Sequence, residues 1–253
     1  MGISTQRSAH AGQDPAAIAC FTLNQAGRDY VVGDIHGCFT LLENVLRAVD
    51  FNPRADRLFS VGDLIDRGPE SERALEFLHK PWFHAILGNH ERLMLEADRG
   101  TDNLLNWLLN GGGWAISVDE TTRSALKAAF ADLPWALEVE TPHGLIGIVH
   151  ADVPEHMSWP EFKFALIAGD KTARETATWG RSRARGSVTS GVAGISKVIC
   201  GHSISWDFST QTVENVIFID TGAYLSAMEK QERAGLTLLA LDDLSSVSLG
   251  HRA

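Results

Sequence analysis

The sequence predicts an α/β protein whose first half is built on a largely parallel sheet. Short apolar runs recur at residues 29–32, 57–61 and 82–87. Segments with apolar residues at helical spacing follow them, and each run ends in a glycine-framed polar turn. A strand–helix order repeated in this way marks parallel strands joined by crossover helices.

The elements follow in order. Residues 1–15 are small and polar without periodicity and are expected to form a flexible tail. Residues 17–23 read as a strand that turns at 25–27 into the strand at 29–32. The segment 39–49 puts Leu41, Leu42, Val45, Leu46 and Val49 on one helical face. A buried strand at 57–61 precedes a helix at 69–79, where Pro69 suits the first turn and Glu70 and Glu72 complement the helix dipole. Strand 82–87 leads into helix 90–98, and helices at 102–109 and 122–132 flank the glycines at 111–113. After Pro134 the character changes. Residues 135–141 and 145–149 predict a hairpin turning at 142–144, with later strands at 197–200, 216–219 and 236–241. The Gly-, Ser- and Arg-rich stretch 181–194 predicts a long loop. Without a repeat or an interdomain linker, residues 16–253 are expected to form one domain.

Composition narrows the class. Of 253 residues, 44% are hydrophobic and 21% charged, which is globular rather than disordered. A net charge of −10 argues against a non-specific nucleic-acid binder and against an anionic lipid surface as partner. Cys20, Cys38 and Cys200 are odd in number and form no CxxC, so neither a disulfide framework nor a zinc ribbon is expected, and reduced thiols in a cytosol are the simplest reading. No apolar run reaches the ~18 residues of a membrane span. The first residues lack a signal-peptide core, and Gln6 breaks the myristoylation pattern. A cytoplasmic location is therefore expected.

The chemistry gathers at the strand ends. The three turns read Gly33-Asp34-Ile35-His36-Gly37, Gly62-Asp63-Leu64-Ile65-Asp66-Arg67-Gly68 and Gly88-Asn89-His90-Glu91. In parallel sheets ligands bind beyond the carboxyl ends of the strands, so these turns converge on one rim. Their donors are oxygen and nitrogen without thiolate, which suits manganese, iron or zinc. Two more histidines, His150 and His202, follow apolar runs. Asp34, His36, Asp63, Asn89, His150 and His202 suffice for a two-metal site, with Asp63 able to bridge. Singly, each has a bland reading, since a Gly-Asp after a strand is often only a turn and a lone histidine is usually structural. The remaining histidines and the seven tryptophans are assigned to packing.

These motifs resemble the PPP-type serine/threonine protein phosphatases of the metallophosphoesterase superfamily, with bacteriophage and bacterial members nearest. The resemblance extends through WLLNGGGW (107–114), HAD (150–152), GH (201–202) and IDTGA (219–223), covering roughly residues 29 to 243. It implies a calcineurin-like sandwich of two mixed β-sheets flanked by helices. It also implies that Asp34 and His36 bind a first metal, that Asp63 bridges, and that Asn89, His150 and His202 complete a second. His90 would protonate the leaving group, Asp66 would orient it, and Arg67 would hold phosphate. The second phosphate arginine maps to Arg181, with Arg183 competing. The implied reaction is hydrolysis of phosphoserine and phosphothreonine proteins, with phosphotyrosine a further substrate, by direct attack of a hydroxide bridging two divalent ions, manganese foremost. The alternatives are a dinucleoside tetraphosphate hydrolase and a non-catalytic phosphate-binding scaffold. Two departures stand out. Leu87 replaces an arginine common before GNHE, and the segment 224–234 is longer and more charged than in the phage relatives, predicting a solvated helix or turn, with a variable loop or partner surface as the alternative.

Overall fold

A computed structural model describes residues 16–251. The expected tail therefore lies outside the described residues. The strand β1 (Ile18–Phe21) and the strand β2 (Asp29–Val32) are neighbours in sequence but join different sheets, so the turn between them carries the chain from one layer to the other. After β2 come α1 (Phe39–Ala48), β3 (Arg57–Ser60), α2 (Ala74–Leu78), β4 (Phe83–Ala85) and α3 (Asn89–Glu96). β2, β3 and β4 pair in parallel, as the strand–helix alternation requires. The helix expected from Pro69 begins later. Ser71–Arg73 forms a single tight turn before α2, and Pro69 stays outside it. The cause lies in the preceding loop, where Ser71 Oγ accepts the Asp66 N–H and ties the chain down.

Helices α4 (Thr101–Leu109) and α5 (Glu120–Ala131) precede the hairpin of β5 (Ala136–Thr141) and β6 (Gly144–Val149). Two helices that the sequence reading did not find follow: α6 (Trp159–Ile167) and α7 (Lys171–Trp179). Their start signals were present. Ser158 is followed three residues later by Glu161, whose carboxylate accepts the Ser158 N–H, and Asp170 Oδ1 accepts the Ala173 N–H. The chain ends with β7 (Lys197–Cys200), β8 (Gln211–Val213), β9 (Val216–Phe218), α8 (Ala223–Ala227), β10 (Leu236–Ala240) and β11 (Ser246–Leu249). The short β8 and the exposed β11 were also missed, because an edge strand packs on too little to need an apolar pattern. The charged segment after Gly222 is α8 followed by a turn.

One sheet runs β1-β5-β6-β7-β9-β8 and the other β11-β10-β2-β3-β4. They pack face to face. Val31, Phe59, Val61, Ile86, Leu239 and Leu241 meet Leu137, Val139, Ile146, Ile148, Ile199, Ile217 and Ile219 in the inner layer. Each such side chain stabilises the fold by about 1.5–3 kcal/mol on leaving water. The alternate residues face outward, Tyr30, Val32 and Leu58 against α1, α2 and α5, and Val149, Val198 and Phe218 against α6 and α7. Burial on both faces explains why the central strands read as unbroken apolar runs.

The consequence for function is directional. β2, β3 and β4 are parallel in one sheet, and β6, β7 and β9 are parallel in the other. Their carboxyl ends deliver six polar loops to one rim.

Candidate active site

The residues beyond β2, β3 and β4 supply Asp34 and His36, then Asp63, Asp66 and Arg67, then Asn89 and His90. Those beyond β6, β7 and β9 supply His150, His202 and Asp220. The turns are strained. Among the described residues, five of the ten non-glycine residues with positive φ are His36, Asp63, Asp66, Arg67 and His202. Left-handed backbone outside glycine costs free energy, and it concentrates where side chains must be aimed. Close approach is also built in, because a Cβ at Gly201 would lie 2.1 Å from Asp34 Oδ1. Glycine there lets the His202 N–H donate to both Asp34 oxygens at 3.0 Å.

Asp63 is the hub. Its Oδ1 lies 3.4 Å from His150 Nε2, and its Oδ2 lies 3.6 Å from His36 Nε2 and 3.8 Å from His90 Nε2. On the Oδ1 side, His150 Nε2 stands 2.8 Å from Asn89 Oδ1 and 3.2 Å from His202 Nδ1. His150 Nδ1 faces the Val61 carbonyl at 2.8 Å and His36 Nδ1 faces the Ile65 carbonyl at 3.0 Å, so each carries its proton there and leaves Nε2 as a bare lone pair. On the other side, Asp34 Oδ2 is 3.9 Å from His36 Nε2. Lone pairs of Asp63, Asn89, His150 and His202 thus crowd one point, and those of Asp34, His36 and Asp63 line another. Such donor sets fit divalent cations, which need deprotonated ligands of this kind.

The electrostatics fit the same reading. Burial by itself would raise the Asp63 carboxyl, but the imidazoles of His150, His90, His36 and His202 outweigh it and hold it well below the usual carboxylate range. Burial, with the Asp220 and Asp63 charges, pushes Asp34 up. Burial lowers His36 and His150, with the Arg67 charge adding to the effect on His36. Burial, His150 and Arg181 bring His202 down to about 2. Histidine nitrogens beside buried carboxylates form a cation-accepting cradle.

His90 and Asp66 form a buried pair, His90 Nδ1 to Asp66 Oδ2 at 2.7 Å. His90 Nε2 is buried with no hydrogen-bond partner and points into the site. Arg67 Nη1 donates to His36 Nε2 at 2.7 Å, and its guanidinium lies over the Tyr224 ring, 4.7 Å from the centroid. The two competing arginines separate cleanly. Arg183 is fully buried, and its Nη1 pairs with Asp152 Oδ1 at 2.5 Å and donates to the Val153 carbonyl. Arg181 is half-buried, and its Nη1 donates to the His202 carbonyl at 3.1 Å and to Ser203 Oγ at 3.2 Å. Leu87 is buried, and its N–H donates to the Pro134 carbonyl.

Several site neighbours escaped the sequence reading. Glu91 accepts the backbone N–H groups of Asp63, Leu64 and Gly88. Asp220, buried and facing Asp34, accepts the Gly222 N–H at 3.0 Å. Burial above all, with the Asp63 charge, pushes its carboxyl up to about 6. Trp107 and Trp114, assigned to packing, both donate their indole N–H to Asp66. Their place in WLLNGGGW was the available signal, but tryptophan alone gives no hint of a polar role. Among the described residues the three cysteines are free, and no helix is long and apolar enough to cross a membrane.

Two face-to-face sheets whose parallel strands end in an Asp/His/Asn cradle define a metallophosphoesterase. The calcineurin-like phosphoesterase family matches residues 30–205, and the chain belongs to that family. It is 38% identical over 203 residues to serine/threonine-protein phosphatase 2 of Salmonella typhimurium, covering 78% of this chain and 88% of the relative. It is also 34% identical over 150 residues to the symmetrical bis(5'-nucleosyl)-tetraphosphatase of Pseudomonas putida, covering 56% of this chain and 47% of that enzyme. A solved protein serine/threonine phosphatase from Saccharomyces cerevisiae, 16% identical, superposes with a TM-score of 0.61 over 93% of this chain and 83% of its own, which shows the common fold.

Proposed function

We propose that this phosphatase hydrolyses phosphoserine and phosphothreonine in proteins, with phosphotyrosine a further substrate. The observation that carries the reading is the Asp63 carboxylate. One of its oxygens stands beside His150 Nε2, against which Asn89 and His202 place their own donors, and the other faces His36 and the His90–Asp66 pair. The coverage of 88% of a serine/threonine-protein phosphatase, against 47% of the tetraphosphatase, favours protein over dinucleotide substrates.

Asp34, His36 and Asp63 would hold one divalent cation, and Asp63, Asn89, His150 and His202 another; these oxygen and nitrogen donors suit manganese, iron or zinc, of which manganese is the one proposed. Bound there, two cations would lower the pKa of a water and neutralise charge on the phosphoryl oxygens. The chain's own residues do the rest. Arg67 and Arg181 present fork-shaped donors to the phosphoryl oxygens. Arg67 must first release His36 Nε2, and Tyr224 supports its guanidinium as it does. Arg183, locked to Asp152, is withheld from this role. His90 delivers a proton from Nε2 to the departing oxygen, while Asp66 holds its Nδ1–H.

The test is a substrate panel on metal-analysed protein: phosphoserine, phosphothreonine and phosphotyrosine peptides, p-nitrophenyl phosphate and a dinucleoside tetraphosphate. About two metal equivalents, restoration by manganese after chelation, and the highest kcat/KM on phosphoserine or phosphothreonine peptides are expected. Preference for the dinucleotide would replace this reading with the tetraphosphatase one. No turnover of any ester in the metal-loaded protein would leave a phosphate-binding scaffold.

A further inference from the structure

Asp66 is held by more than His90. Trp107 Nε1 donates to Asp66 Oδ2 at 3.0 Å and to Oδ1 at 3.2 Å, and Trp114 Nε1 donates to Oδ1 at 2.7 Å. With His90 Nδ1 at 2.7 Å on Oδ2, three ring N–H groups converge on one carboxylate. Asp66, His90 and Trp107 are buried, and Trp114 is half-buried. The two indoles stand edge to face, 6.4 Å apart at 89°.

The surrounding segment is shaped for this grip. A Cβ at Gly112 would lie 2.5 Å from Trp107 Cε2 and 2.6 Å from its Nε1, so glycine is needed for the indole to lie where it does. A Cβ at Gly111 would lie 2.9 Å from both Cγ and N of Arg67, and the Gly111 carbonyl lies 3.5 Å from the Arg67 N–H. The segment 107–114 therefore packs on two consecutive residues, Asp66 and Arg67, whose φ angles of 72° and 69° are both left-handed.

We propose that Trp107 and Trp114 are positioning residues for the leaving-group acid. Their N–H groups stop the Asp66 carboxylate from rotating and keep Oδ2 on His90 Nδ1, so that the His90 proton is offered from Nε2 toward the departing oxygen. A carboxylate with one N–H partner can swing about its last bond, and each further N–H narrows that swing; on Oδ1 the Trp114 N–H at 2.7 Å is the short contact and the Trp107 N–H at 3.2 Å the longer one. Neither tryptophan is placed in contact with the ester. This inference rests on the role given to His90 under the proposed function, and its test separates the two.

The test compares an alkyl phosphate, whose leaving oxygen needs a proton, with p-nitrophenyl phosphate, whose phenolate leaves unaided. In Trp114→Phe, which keeps a ring and removes one N–H, kcat on the alkyl ester should fall about tenfold, the size of one charge-assisted hydrogen bond. The loss should exceed that on p-nitrophenyl phosphate at least about fivefold, with KM little moved. In a His90→Asn background, Trp114→Phe should cost nothing further on the alkyl ester, because residues acting through one group are non-additive. A tenfold loss persisting in that background, or equal losses on both esters in Trp114→Phe, overturns the clamp. Equal losses on both esters in His90→Asn bring down the acid role itself and the clamp with it. A readout independent of activity is the pair of indole N–H resonances in ¹H–¹⁵N spectra. Asp66→Asn should shift both, and resonances that stay in place contradict the contact.

Discussion

Replacing Glu91 by glutamine tests whether the Asp63 turn is held from beneath. Glu91 is fully buried. Its Oε2 accepts the Asp63 and Gly88 N–H groups at 2.9 Å each, and its Oε1 accepts Leu64 N–H at 2.8 Å. All three donors need an acceptor, which suits the carboxylate. Burial and the Asp63 charge nevertheless push its carboxyl up to about 8, and a divalent cation on Asp63 would offset the second cause. Glutamine retains one oxygen. The least costly rotamer keeps it on Asp63 and Gly88 and turns the amide nitrogen toward Leu64. With that cation bound and Glu91 ionised, one buried N–H is then unpaired, costing about 1–3 kcal/mol, and two charge-assisted bonds fall to neutral strength at about 1 kcal/mol each. Part of that sum returns because no charge is buried, leaving a net loss of about 2–4 kcal/mol. For a chain of this length the midpoint of thermal unfolding should drop by about 5–15 °C. Asp63 sits at φ 50°, so the freed turn should also relax and misaim the hub carboxylate, cutting kcat at temperatures where the variant is still folded. Thermal unfolding at fixed manganese concentration, with turnover of p-nitrophenyl phosphate measured alongside, provides the assay. A variant that melts within about 2 °C of the parent and retains full turnover would refute the reasoning.

Further outcomes follow from the same geometry. Asp63→Asn should lower metal content at both sites and remove nearly all turnover, as read by elemental analysis and rate. Arg67→Ala should weaken inhibition by inorganic phosphate, since a fork-shaped donor is lost. Arg181→Ala should do likewise without a large change in melting temperature. Arg183→Ala should instead destabilise by about 3–5 kcal/mol, because it leaves Asp152 buried and unpaired, and calorimetry distinguishes the two arginines. Thiol titration of the native protein should show Cys20 alone reacting, slowed by partial burial and by the Glu138 carboxylate 3.4 Å from its Sγ, and the other two only after denaturation. Cys38 and Cys200 are buried, and burial pushes the Cys38 thiol up to about 12.

The motifs were legible because their chemistry is local. GDIHG and GDLIDRG set left-handed turns, GNHE opens α3 directly after an extended Gly88, and each places a polar side chain beyond a strand end within a few residues. Helices α6 and α7 were missed in a stretch without a clear apolar stripe, although Ser158 and Asp170 marked their starts. The same limit hid the partners of the site. Glu91 in GNHE carries no visible hint that it grips two turns, and Trp107 reads as core from its ring alone.

By itself the sequence determined the strand–helix alternation of the first half, the three loops and the candidate donor side chains they carry, since each depends on residues adjacent in the chain. Only the tertiary structure decided which of those donors meet. It brought His202 within 3.2 Å of His150, 52 residues away, by laying β6 and β7 side by side in parallel. It also sorted Arg181 from Arg183, two residues apart, by sealing one against Asp152 and leaving the other at the rim. Spacing along a chain records what can turn toward a common side, whereas proximity and burial depend on how the two sheets stack.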